Sequence, residues 1–75
     1  MELYYGNYII EEEKGRFNLY EKREKSNIVI GYGYTFERML RRLTHELVAK
    51  KDITTIRGYI DEFKCVLDEI ENTLK

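Results

Sequence analysis

The stretch Asn27–Leu47, NIVIGYGYTFERMLRRLTHEL, decides the fold because its period changes midway. Ile28, Ile30, Tyr32 and Tyr34 alternate with Val29, Gly31 and Gly33, the two-residue period of a strand. From Phe36 the apolar positions become Phe36, Met39, Leu40, Leu43 and Leu47, the period of an α-helix. Thr35 stands at the switch, where its hydroxyl can accept from the first unpaired N–H groups of that helix. The stretch therefore predicts a strand running straight into a helix.

Upstream, LYYGNYIIEE reads as one strand, with Gly6 marking a bulge or a start point. Tyr5 and Ile9 share one parity, Tyr8 and Ile10 the other. Glu13-Lys14-Gly15-Arg16 is a turn, Gly15 being free to take positive φ. A second strand covers about Phe17 to Lys22, and the charged connector Arg23 to Asn27 leads into the third. Downstream, Lys50 to Thr54 breaks the helical pattern, and Thr55 or Thr54 caps a second helix. That helix carries Ile56, Ile60, Phe63, Leu67, Ile70 and Leu74, spaced 4, 3, 4, 3, 4, with Tyr59 and Val66 on the flank. Gly58 is placed by the helical wheel away from the core, with no packing reason for it.

The architecture expected is α+β: a three-stranded antiparallel β-meander followed by two helices packed on one face of the sheet, βββαα, in a single domain spanning residues 1–75. The expected core is Tyr8, Ile10, Phe17, Leu19, Ile28, Ile30, Phe36, Leu40, Leu43, Leu47, Ile60, Phe63, Leu67 and Ile70.

Composition narrows the functional classes. A chain of 75 residues is marginal in stability and is commonly reinforced by disulfides, metals or oligomerisation. One cysteine excludes an intrachain disulfide, and one histidine beside it argues against structural zinc. Oligomerisation is left, and a homodimer is expected. The net charge of −1 does not suggest a general nucleic-acid coat, while 43% hydrophobic residues suit a folded domain. No run of apolar residues approaches a membrane span and no signal peptide is read, so the expectation is a cytoplasmic chain without membrane contact.

No residue set carries obvious chemistry. Gly31-x-Gly33 before a helix lacks the third glycine and the βαβ unit of a dinucleotide loop, and the structural reading is close approach of another backbone or a cross-strand tyrosine. Cys65 has acidic helical neighbours in Asp61, Glu62, Asp68 and Glu69, which oppose the thiolate that a reactive cysteine needs, so it reads as an exposed free thiol. The seven-residue repeat of that acidic face fits a solvated helix exterior. No Ser-His-Asp set or paired carboxylates in a pocket are present. No enzyme, catalytic residue, cofactor or metal site is expected.

Two surfaces stand out. Arg38, Arg41, Arg42 and His45 form a basic stripe on the first helix, suited to phosphates or simply solvated and partly neutralised by Glu37 and Glu46. The helices are also oppositely charged: residues 36–51 hold five Lys/Arg against two Glu, and residues 52–75 three against six Asp/Glu. Seven tyrosines and no tryptophan point to the sheet, where Tyr5, Ile9, Tyr20 and Val29 are expected to share an outer face. Tyrosine gives rigid contact area at little entropic cost.

Tyr4-Tyr5, the YxI of Tyr8–Ile10, the FxLY of Phe17–Tyr20, IGYGYTFERML and the charged helix pair together resemble small proteins encoded by phages and prophages of Gram-positive bacteria. In that class a strand ending in Gly-Tyr-Tyr-like residues leads into a Ser/Thr-capped helix. The resemblance covers most of the chain and transfers no site residue. It implies a phage accessory protein, a class that includes inhibitors of host defence. The function expected is a non-enzymatic protein-binding module that occludes a bacterial host or phage protein. The rivals are a nucleic-acid-binding accessory protein using Arg38, Arg41, Arg42 and His45, and a structural or assembly component.

Overall fold

A computed structural model describes residues 1–74 of the chain. Four strands precede two helices: β1 (Glu2–Tyr5), β2 (Tyr8–Glu13), β3 (Arg16–Lys22), β4 (Asn27–Tyr34), α1 (Phe36–Ala49) and α2 (Ile56–Leu74). The class is α+β. The chain divides into two compact units, Met1–Met39 and Leu40–Lys75.

In the first unit the strands form one antiparallel sheet in the order β1-β2-β3-β4. The three-strand expectation is corrected to four, because LYYGNYIIEE is a hairpin and not one strand. Gly6 takes φ 59° and Asn7 stays at negative φ, the pattern of a II′ turn, and Tyr5 pairs with Tyr8 across it. The second hairpin turns on Lys14 (φ 52°) and Gly15 (φ 79°), both left-handed as a I′ turn demands, and closes Glu13 on Arg16.

Lys14 is the one position where a long side chain holds left-handed backbone among the described residues. That conformation costs an L-residue roughly 1–2 kcal/mol, and asparagine tolerates it better. Lys14→Asn is therefore expected to raise stability by up to about 1 kcal/mol, read as a higher urea midpoint at unchanged slope. A lower midpoint would contradict the turn geometry.

One face of the sheet carries the buried side chains Tyr8, Ile10 and Leu19. Leu3, Ile10, Leu19 and Gly31 form one cross-strand row on that face. The pairing of β3 with β4 slips twice. Leu19 and Tyr20 are adjacent, yet their partners Gly31 and Val29 are two apart; Phe17 and Leu19 are two apart, yet Tyr34 and Gly31 are three apart. Each slip inserts an extra residue into β4, a β-bulge, and Gly33 at φ 68° lies in the second. Asn18 braces this second bulge: its Oδ1 accepts from Gly33 N–H at 3.0 Å while its Nδ2 donates to Glu11 at 3.0 Å. Tyr34 lies back over Gly31, so a Cβ there would overlap the phenol. The glycine makes room for a tyrosine of its own strand and not for the cross-strand one expected, because the bulge at Gly33 turns Tyr34 back over it. Phe36, in the first turn of α1, meets Phe17 edge-on at 5.4 Å between ring centroids.

Thr35 caps α1 as the sequence predicts, its Oγ1 accepting from Arg38 N–H at 3.3 Å. Thr55 does the same for α2 through Gly58 N–H at 3.0 Å. Gly58 does have a packing reason: a Cβ would press on Thr55 Oγ1 and on the Ile53 side chain. The buried residues of α1 are Met39, Leu40, Leu43, Thr44 and Val48. Thr44 is tolerated there because its hydroxyl donates to Leu40 C=O at 2.7 Å. In α2 the buried residues are Val66 and Ile70. The expected seam is rotated toward Val66, and Ile60 at 46% exposure leaves the core, as does Ile28 at 43%. A wide apolar stripe does not fix its own centre, and strand alternation cannot anticipate how far a residue near a hairpin end is covered.

Candidate interaction surface

The second face of the sheet is the exposed one. The register aligns Tyr4, Ile9, Tyr20 and Val29 side by side across all four strands. Directly paired residues of antiparallel strands point to the same side, so this row is continuous. Tyr4 is 64% exposed and Val29 42%, with Ile9 and Tyr20 half-buried between them. Tyr32, also exposed, meets Tyr20 edge-on at 6.1 Å.

Three of the four residues expected on this face are there. Tyr5 is not: it is opposite Tyr8, on the buried side, and Tyr4 takes its place. The two-residue hairpin causes the exchange, since a strand running through Gly6 would keep Tyr5 in step with Ile9. The Gly6-Asn7 pair between strand-like runs was the signal that identifies Tyr4. Tyr32 is brought in by the bulges, which no period announces.

Carboxylates frame the tyrosines. Glu2 and Glu11 are direct cross-strand partners in the neighbouring row. Tyr4 donates its phenol proton to Glu2 Oε2 at 2.8 Å, and that hydrogen bond holds the Tyr4 pKa above its usual value. Tyr20 is also pushed up, first by partial burial and then by the Glu11 carboxylate. Glu2, Tyr4, Ile9, Glu11, Tyr20 and Asn27 together line a concavity of about 280 Å³.

Arg38, Arg41, Arg42 and His45 are all exposed on α1. Two of them are engaged: Arg42 pairs with Glu46 at 2.9 Å, and His45 Nδ1 lies 2.6 Å from the Tyr59 hydroxyl. On α2, Glu62 of the acidic face pairs with Lys51 at 2.8 Å, a bond that raises the Lys51 pKa. Cys65 is a free, exposed thiol. Ile56, Arg57, Ile60, Asp61 and Lys64 border an open groove of about 520 Å³ along the same helix, with Ile56 82% exposed. Among the described residues no group of three or more His, Cys, Asp or Glu is placed to hold a metal ion. No described helix is long and apolar enough to cross a membrane. Comparison with protein-family models, curated proteins and solved structures finds no match to this chain.

Proposed function

We propose that the chain is a non-enzymatic protein-binding module whose working surface is the tyrosine-rich face of the sheet. The observation that carries this reading is the unbroken row Tyr4–Ile9–Tyr20–Val29, exposed at both ends and half-buried between, widened by exposed Tyr32. Contiguous exposed apolar surface marks interaction sites, and rigid tyrosines suit them. The resemblance to small phage proteins supports a bacterial host or phage protein as the target, with inhibition by occlusion as the mode of action.

The test is affinity capture from bacterial lysate with the wild-type chain and with Tyr20→Ala/Tyr32→Ala. The double variant is expected to lose the captured protein and keep the wild-type circular dichroism spectrum. Equal capture by both would remove the face from the function. Light scattering at micromolar concentration separates the alternative occupant: twice the 9.1 kDa chain mass would assign the face to a second copy. A salt-dependent shift with DNA or RNA, abolished by Arg38→Glu/Arg42→Glu, would move the function to α1 instead.

A further inference from the structure

The same face has a charge pattern that selects its occupant. Glu2 and Glu11 stand directly opposite each other on adjacent strands. Like charges in that position oppose sheet formation. Glu11 is held by the Asn18 amide and Glu2 by the Tyr4 hydroxyl, both neutral donors. Among the described residues neither carboxylate has a basic side chain within ion-pair distance. Two carboxylates, neither in an ion pair with a basic side chain, thus stand on adjacent strands at the rim of a concavity walled by Tyr4, Ile9 and Tyr20.

We propose that this concavity receives an arginine or lysine side chain from a basic segment of the partner protein. The inference rests on the protein-binding reading above. The cationic head sits between the Glu2 and Glu11 carboxylates, and its methylene stem lies on Ile9 and the two phenol rings. Long basic side chains bury their stems and keep the charge near water, and tyrosine faces attract cations. The volume of about 280 Å³ falls below the range of roughly 300–1,000 Å³ used for small ligands. It suits one long side chain.

The test titrates a capped tetra-arginine peptide into the 75-residue chain, followed by amide chemical shifts, with tetra-glutamate as the control. Saturable shifts are expected at Tyr4, Ile9, Glu11 and Tyr20. Glu2→Gln/Glu11→Gln is expected to weaken binding by about tenfold. The same variant should melt no lower than wild type, because the cross-strand repulsion is gone while the amide oxygens still accept from Asn18 and Tyr4. Asp61→Asn/Asp68→Asn on α2 should bind as wild type does. Shifts centred on α2, or binding indifferent to Glu2 and Glu11, would overturn the proposal. So would a lower melting temperature in the Gln variant, which would make the carboxylates props of the sheet. Loss of a captured protein by Tyr20→Ala/Tyr32→Ala but not by Glu2→Gln/Glu11→Gln would sink this inference and leave the protein-binding reading standing.

Discussion

Leu43→Ala is expected to cost about 2–5 kcal/mol, the usual range for emptying a fully buried leucine site. Leu43 is completely buried, and Met39, Leu40, Thr44 and Val48 of the same helix are buried with it. The loss has two parts: the transfer free energy of the missing atoms, and the cavity left where the surroundings relax only partly. Small chains have roughly 5–15 kcal/mol in all, so one substitution removes a large share. For a chain of this size the melting temperature should fall by on the order of 10–30 °C. Arg41→Ala, on the exposed side of α1, should change stability by no more than about 0.5 kcal/mol. Equal melting of the two variants would mean that α1 buries a different face.

Gly31→Ala is expected to destabilise by about 1–3 kcal/mol, an overpacking effect. Gly31 has no left-handed backbone to protect, so the cost is purely steric. The new methyl would overlap the Tyr34 ring and hydroxyl. A double-mutant cycle with Tyr34→Ala isolates this, because removing the phenol should make the added methyl nearly harmless. Gly33→Ala supplies the contrast. Its Cβ would meet open space, but φ 68° strains any L-residue by roughly 1–2 kcal/mol. That cost should persist in the Tyr34→Ala background. Additive effects of Gly31→Ala and Tyr34→Ala in denaturant unfolding would contradict the stacking of Tyr34 on Gly31.

What the sequence disclosed followed from strong local signals. The switch of period at Thr35, the caps at Thr35 and Thr55, and the Lys14-Gly15 turn are each dictated by neighbours within four residues, and each is present in the structure. The missed strand also had a local signal, Gly6-Asn7, but the apolar residues around it read as one uninterrupted strand. Placing a two-residue hairpin there reverses the faces of everything before it, which exchanged Tyr5 for Tyr4. The bulges of β4 are different in kind. The alternation Ile28, Ile30, Tyr32, Tyr34 looks regular, yet Ile28 and Tyr34 pair on the buried side while Tyr32 meets Tyr20 on the other. Register depends on which residues the partner strand offers, and one chain segment alone does not record it. The Glu2–Glu11 juxtaposition was hidden for the same reason: it exists only once the first hairpin is closed.

The two borders of the sheet are unlike. β1 is short and regular, while β4 is twice broken by inserted residues. Polymers that grow by adding strands need a compatible row of amides and carbonyls at both ends, and bulges spoil that row. A neighbouring chain that zips onto β1 therefore presents its own kinked β4, or its own already used β1, to the next arrival. Strand-by-strand growth is therefore expected to halt after one addition. For a chain with many tyrosines on an open sheet, that asymmetry is expected to oppose fibre formation, and straightening β4 by deleting Ile30 and Gly33 would be the change that removes it.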